Sequence, residues 1–307
     1  MAVADRFYTP KMDTSNDGFE VDWTEHVLPV EGIGVHIYEW LPAGRTKPHG
    51  LVHISHGAGE HARRYQHLVH DLIGAGYAVI AHDHLGHGRT GVAAFGLSDL
   101  GPGGIPAARR ATREVIDWGK ARYPGLPFIE VGHSWGSLLA QQLFAAEPLI
   151  FDAVVLSGTA LALPGFINPG NYNAEWADDG HGMSWLTRDV NEVQKMIDDK
   201  YGFDIAQSSV WSIWGALQLL SLPPLPRRGR AARVPMLILT GDHDPLGFNG
   251  RSPRALAWAY EHVTRLKDVG FRLYPEARHE VYNELERDDT VRELLDWLAF
   301  RFESPSA

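Results

Sequence analysis

Cysteine is missing from this chain of 307 residues. Its absence removes disulfides, thiolate nucleophiles and Cys-ligated metal sites at once. Basic residues are in deficit, with 28 Lys and Arg against 38 Asp and Glu, a net charge of −10. A surface of that sign repels phosphate backbones, so no nucleic-acid partner is expected. The basic run Arg227-Arg228-Gly229-Arg230 is short and sits between prolines and a strand-like segment. Long apolar runs are also lacking. The N-terminus, Met1-Ala2-Val3-Ala4-Asp5-Arg6-Phe7, has no signal-peptide core, and the uncharged stretch Ile205 to Pro226 is broken by Gln, Ser and Pro. Neither reads as a membrane element, and a cytoplasmic protein is expected. No repeat of fixed period stands out.

What is present is an ordinary globular composition, 44% hydrophobic and 21% charged, enough for one large α/β domain with an insertion. Short apolar runs without polar alternation (51–55, 77–81, 128–131, 153–156) alternate with helical patterns (65–74, 105–123, 134–146). That rhythm predicts a parallel sheet covered by helices on both faces. Val35 to Trp40 alternates in period two, as an antiparallel edge would. The rhythm stops between Leu161 and Arg233, with helical patterning only at 190–200 and 209–220. It resumes at 235–240, 255–266, 271–274 and 290–302. Expected boundaries are therefore a sheet domain of 1–160 and 234–307, interrupted by a helical cap of 161–233.

The segment Gly132-His133-Ser134-Trp135-Gly136 lies between a strand-like run and a helix-like one. A serine hydroxyl is exposed on such a sharp strand-to-helix turn only when its flanking residues are nearly without side chain. Ser134 is therefore the expected nucleophile, although a serine can also cap a helix N-terminus. A serine needs a base and an acid to orient that base, and both belong on loops at the ends of later strands. Gly241-Asp242-His243-Asp244-Pro245 and Pro275-Glu276-Ala277-Arg278-His279-Glu280 follow the last two strand-like runs. Asp244 reaches further past its strand end than Asp242, which suits a turn-forming role. Ser134, Asp244 and His279 are the expected triad. Backbone N–H groups must hold the transition-state oxyanion. Trp135 supplies one at a helix N-terminus, and Ala58, in the loop His56-Gly57-Ala58-Gly59-Glu60-His61, is the expected second.

Sixteen histidines make metal ligation a rival reading. His82, Asp83, His84 and His87 cluster, with His53 and His56 nearby, yet no His-Glu-x-x-His helix pair occurs. No metal site is expected.

Taken together, His56 to His61 with Arg64-Tyr65, Ala81-His82-Asp83-His84-Leu85-Gly86-His87-Gly88, the Ser134 turn and the Asp244 and His279 loops resemble the monoacylglycerol lipase/lysophospholipase branch of the α/β-hydrolase superfamily. The resemblance runs from about His53 to the C-terminus and is weak only through the insertion. It implies an α/β-hydrolase fold with a cap over a buried acyl pocket, and it supports the same triad and oxyanion donors. It also implies a head-group role for Glu60 and Arg64, which otherwise suit a helix N-terminus and a surface ion pair. The chain departs from the family in having Ser137 after Gly136, Trp135 where Met is common, and Tyr282 where glycerol-ester lipases often carry a histidine. The last departure puts glycerol recognition in doubt.

Within the insertion, Val210, Ile213, Trp214, Leu217 and Leu220 recur at helical spacing, with Trp211 alongside. Such a stripe packs on the rim of the sheet domain, or else part of it lines an acyl tunnel or touches a lipid surface transiently. The expected function is a serine carboxylesterase acting on monoacylglycerols or similar apolar esters, without a cofactor. An aminopeptidase or amidase with the same triad is the near alternative, and a non-catalytic interaction protein the distant one.

Overall fold

The computed structural model describes residues 22–44, 47–205 and 213–303. Eight strands form one sheet: β1 (Thr24–Val30), β2 (Ile33–Trp40), β3 (Leu51–Ser55), β4 (Ala78–His82), β5 (Phe128–His133), β6 (Ala153–Ser157), β7 (Met236–Gly241) and β8 (Val269–Tyr274). Their spatial order is β1-β2-β4-β3-β5-β6-β7-β8. β2 is antiparallel to both neighbours, and every pair from β4 to β8 is parallel. Helices α1 (Gln66–Gly74), α2 (Gly88–Ala93), α3 (Gly104–Arg122), α4 (Trp135–Ala146), α5 (Val190–Asp198), α6 (Ile213–Leu219), α7 (Arg251–His262) and α8 (Arg287–Phe302) make the connections. The architecture is the mostly parallel, helix-covered sheet that the sequence rhythm predicts.

Alternation along the strands feeds two cores. Ala78, Ile80, Val154, Leu156, Met236 and Ile238 join a cluster with α3, α4 and α7. Their neighbours Val79, Ala81, Val155, Leu237 and Leu239 join the opposite cluster with α1 and α8. Successive side chains of a strand point to opposite faces, so a sheet buried on both sides needs apolar residues at every position. Polar exceptions in the strands, among them His53, His82 and Glu130, are fully buried.

The antiparallel edge is one strand wider than expected. β1 carries Glu25, His26 and Pro29, which blur its period, and proline is tolerated on an edge strand. The hairpin closes through Glu31 (φ 49°) and Gly32 (φ 86°), the two positive φ values of a type I′ turn. α7 begins four residues before its expected start because Pro253 lies in its first turn, where a missing N–H leaves no gap in the helix. Between β6 and β7 the described residues contain helices and turns and no strand. Trp211 and Val210 lie outside the described residues. Trp214 falls in α6, and its side chain is likewise outside them. No helix among the described residues is long and apolar enough to cross a membrane.

Gly241 ends β7, where a Cβ would lie 1.9 Å from the Ala277 carbonyl oxygen and 2.3 Å from that of Arg278. Neither backbone atom can retreat without moving the loop that carries His279. Gly241→Ala is expected to lower unfolding stability by about 3 kcal/mol in urea titration; a loss below about 0.5 kcal/mol would contradict this close approach.

Candidate active site

The parallel strands deliver their loops to one end of the sheet. Ser134 follows β5 with φ 49° and ψ −119°, a backbone conformation L-residues rarely adopt. The flanking glycines make it attainable. A Cβ on Gly132 would lie 2.8 Å from Ser137 Cα, and one on Gly136 would lie 2.1 Å from the Ser55 carbonyl oxygen. The Ser134 N–H donates to the Ser157 carbonyl at 2.9 Å, and the Gly136 N–H to that of His56 at 3.1 Å. Ser137 uses its extra hydroxyl locally, donating to the Ser134 carbonyl at 2.6 Å.

Asp244 and His279 meet from adjacent strand ends. The imidazole Nδ1 lies 3.0 Å from Asp244 Oδ1, and both residues are buried. The same carboxylate oxygen accepts the Leu246 N–H at 3.0 Å. With Nδ1 turned to a carboxylate, the tautomer is fixed and Nε2 becomes the free acceptor. Nε2 is buried with no hydrogen-bond partner among the described residues. Burial lowers the pKa of His279, and the Asp244 charge and hydrogen bond outweigh it, so the net direction is up. Asp242, the other acid of that loop, pairs instead with His243 at 2.7 Å.

His133 joins Ser134 to this pair. Its ring centroid lies 4.9 Å from that of His279 and its Nδ1 lies 3.1 Å from Ser157 Oγ. Burial, then the charge of His279, pushes His133 down to about 3, so it stays neutral beside His279. The ring of Trp185, from the segment between β6 and β7, lies 4.7 Å from that of His279, and the His279 N–H points to the Trp185 carbonyl at 3.4 Å. Sequence reasoning missed both contacts. His133 is only a variable letter of the serine motif, and Trp185 carries no local signal.

Trp135 opens α4, so its N–H has no carbonyl one turn back to serve. Ala58 sits on the loop after β3. Gly57 in that loop passes so near Ser134 that a Cβ on it would lie 3.0 Å from Ser134 Cβ. Glu60 holds the loop in place. Its Oε1 accepts the Gly57 N–H at 2.6 Å and the Tyr65 hydroxyl at 2.7 Å, while Arg64 donates to Oε2 at 3.1 Å. Arg64 also donates to both oxygens of Glu280 at 3.0 and 3.2 Å. The guanidinium therefore bridges the Ala58 loop and the His279 loop. Burial raises Glu60, with Glu280 adding to the rise against Arg64. In Glu280 the Arg64 charge overcomes burial and the direction is down. Tyr282 packs in the core cluster shared by α1 and α8, its hydroxyl buried without a partner among the described residues.

Among the described residues no group of three or more His, Asp or Glu is arranged to hold a metal ion. The clustered histidines bond to one another and to neighbouring chain instead.

Residues 46–286 match the hydrolase family described as serine aminopeptidase, S33. The chain belongs to this family. It is 27% identical over 301 residues to a monoglyceride lipase of Mus musculus, covering 92% of each chain. A monoacylglycerol lipase of Mycolicibacterium smegmatis is 28% identical over 279 residues, covering 88% of this chain and 94% of the relative. A solved lipase in an open form superposes with a TM-score of 0.76 at 24% identity, over 92% of this chain and 100% of that one. The fold is that of the α/β-hydrolases, and the chain is similar to monoacylglycerol lipases at 27% and 28% identity.

Removing Arg64 would leave Glu60 and Glu280 buried together without a counter-charge. Arg64→Met is expected to lower stability by about 3–5 kcal/mol at pH 7, with partial recovery at low pH as the carboxylates take up protons. Thermal unfolding across pH 5–8 checks this, and a destabilisation that does not change with pH would contradict it.

Proposed function

We propose that this hydrolase cleaves apolar carboxylic esters, monoacylglycerols among them, through an acyl-enzyme formed on Ser134. The supporting observation is the Asp244–His279 pair at 3.0 Å, with an unpartnered Nε2 beside a strained serine turn. No hydrogen bond between Ser134 and His279 is among those of the described residues. Such bonds commonly tighten only when substrate is present. In the proposed sequence Ser134 Oγ attacks the ester carbonyl and His279 Nε2 takes its proton. Asp244 holds the imidazolium while the Ala58 and Trp135 N–H groups carry the oxyanion charge. His279 then protonates the departing alcohol, and water repeats the cycle on the acyl-enzyme. No cofactor enters any step. Glu60 and Arg64 act in this reading by holding the Ala58 loop. Exposed Leu217, Leu222 and Leu225 in the insertion suit brief contact with a lipid surface, and a cytoplasmic location fits the sequence. Residues 161–233 form the cap in this scheme.

The family description favours a second reading, cleavage of aminoacyl amides. A substrate α-ammonium group needs an uncommitted carboxylate, and three described ones on the loops around the site are engaged. Glu60 and Glu280 face Arg64, and Asp199 lies 2.7 Å from His61 Nε2. The ester reading is the stronger.

Ser134→Ala is expected to reduce p-nitrophenyl ester turnover by at least about 10⁴-fold. Turnover of aminoacyl p-nitroanilides without turnover of esters would contradict the substrate class. The base must be neutral to act, so kcat/KM should fall as pH drops through a His279 pKa above the usual histidine value. Replacing Asp244 with Asn removes the main cause of that rise. An inflection unchanged in Asp244→Asn would exclude Asp244 as the partner.

A further inference from the structure

Behind the serine turn lies a buried string of histidines that the proposed chemistry does not use. His53, His56, His82, His84 and His87 are all buried, as are Glu130, Thr112 and Trp135. One assignment of protons satisfies these hydrogen bonds. His56 Nδ1 faces the Gly57 carbonyl at 2.7 Å, and its Nε2 accepts the His84 N–H at 3.0 Å. A carbonyl only accepts, so His56 is the neutral Nδ1–H tautomer. His87 Nδ1 faces the Leu85 carbonyl at 2.9 Å and is protonated for the same reason. The Thr112 hydroxyl gives its one hydrogen to the Ala108 carbonyl at 3.1 Å. It therefore accepts from His82 Nε2 at 3.3 Å and from His84 Nδ1 at 3.5 Å. His82 Nδ1 then accepts from His53 Nε2 at 3.0 Å, and a single proton lies between His53 Nδ1 and Glu130 Oε2 at 2.6 Å.

Besides Glu130 Oε1, three polar atoms of this group are left over. His84 Nε2 and His87 Nε2 are acceptors, the Trp135 indole Nε1–H is a donor, and each is buried without a partner among the described residues. The Trp135 ring lies 5.0 Å from each imidazole, and the imidazoles are 6.4 Å apart. A point about 4 Å from all three centroids exists over this triangle, the reach of a ring nitrogen plus one hydrogen bond of about 2.9 Å. One donor beside two acceptors is the complement of a single water molecule.

We propose that one buried water binds there, accepting from the Trp135 indole N–H and donating to Nε2 of His84 and of His87. It ties the residue after Ser134 to the loop after β4, so that His84 and His87 are positioning residues for the Trp135 backbone N–H. The His53–His82–Thr112 string keeps His84 in the tautomer the water needs. The catalytic consequence rests on the serine-hydrolase reading above; the water site does not.

Two measurements test it. Long-range ¹H–¹⁵N NMR of the ¹⁵N-histidine protein at pH 7 should show His56, His84 and His87 as neutral Nδ1–H tautomers and His82 as Nε2–H. A crystal structure finer than about 1.5 Å should show one ordered water bonded to all three nitrogens. An Nε2–H tautomer at His84 or His87, or a dry site, overturns the proposal. In parallel, His87→Gln keeps an acceptor and His87→Leu removes it. The leucine variant should lose roughly tenfold in kcat with KM within about twofold, and the glutamine variant should stay within about threefold of the parent. Equal losses in both variants overturn the positioning role. The tautomer and solvent readouts involve no substrate, so they stand or fall separately from Ser134 as nucleophile.

Discussion

The backbone at Ser134 is the constraint on which the rest of the site depends. At φ 49° and ψ −119° it is held in a conformation costing on the order of 1–3 kcal/mol, and it persists because its surroundings leave no alternative. Gly132 presses on the start of α4 and Gly136 on the end of β3, while the Ser134 N–H is fixed to the end of β6. Three parallel strands thus set one dihedral pair. The serine side chain leaves the sheet as a consequence, and the following residue starts a helix with an unserved N–H.

Charge is then arranged around that turn so that no ionised group is buried alone. Asp244 is answered by His279, and Glu60 and Glu280 are answered by one guanidinium, Arg64. The second group works at a distance from the serine, since it joins the Ala58 loop to the His279 loop. Buried ion pairs contribute little net stability but strongly penalise separation of their members. They therefore suit the task of keeping two loops in register. The segment between β6 and β7 adds backbone ties of its own, Phe203 to Gly59 and Leu186 to Glu280, so it is fastened to the loops that carry the candidate groups.

Much of this was legible in the sequence where a physical rule acts locally. The serine turn shows because its glycines are demanded by contacts within a few residues, and the strand rhythm shows because a sheet buried on both faces admits few polar residues. β1 was hidden by Pro29 and by alternating charged residues on an edge that tolerates them, and the start of α7 by a proline in its first turn. Asp244 could be preferred over Asp242 by reach alone. The partners of Glu60 and Arg64 could not be read, because Glu280 stands 216 positions from Arg64 and nothing local announces the pairing. The histidine cluster shows the same limit from the other side. Its letters suggest metal ligands, while its geometry turns each imidazole toward a carbonyl, a hydroxyl or another imidazole.

The central claim is that a strained serine, deprotonated by His279, carries the acyl group. Rapid-quench mixing with an excess of p-nitrophenyl ester, followed by tandem mass spectrometry, reads this directly. The account predicts an acyl adduct on the peptide containing Ser134, formed and lost at rates consistent with turnover. Steady hydrolysis with an adduct on another residue, or with none trapped while turnover is limited by deacylation, would contradict it.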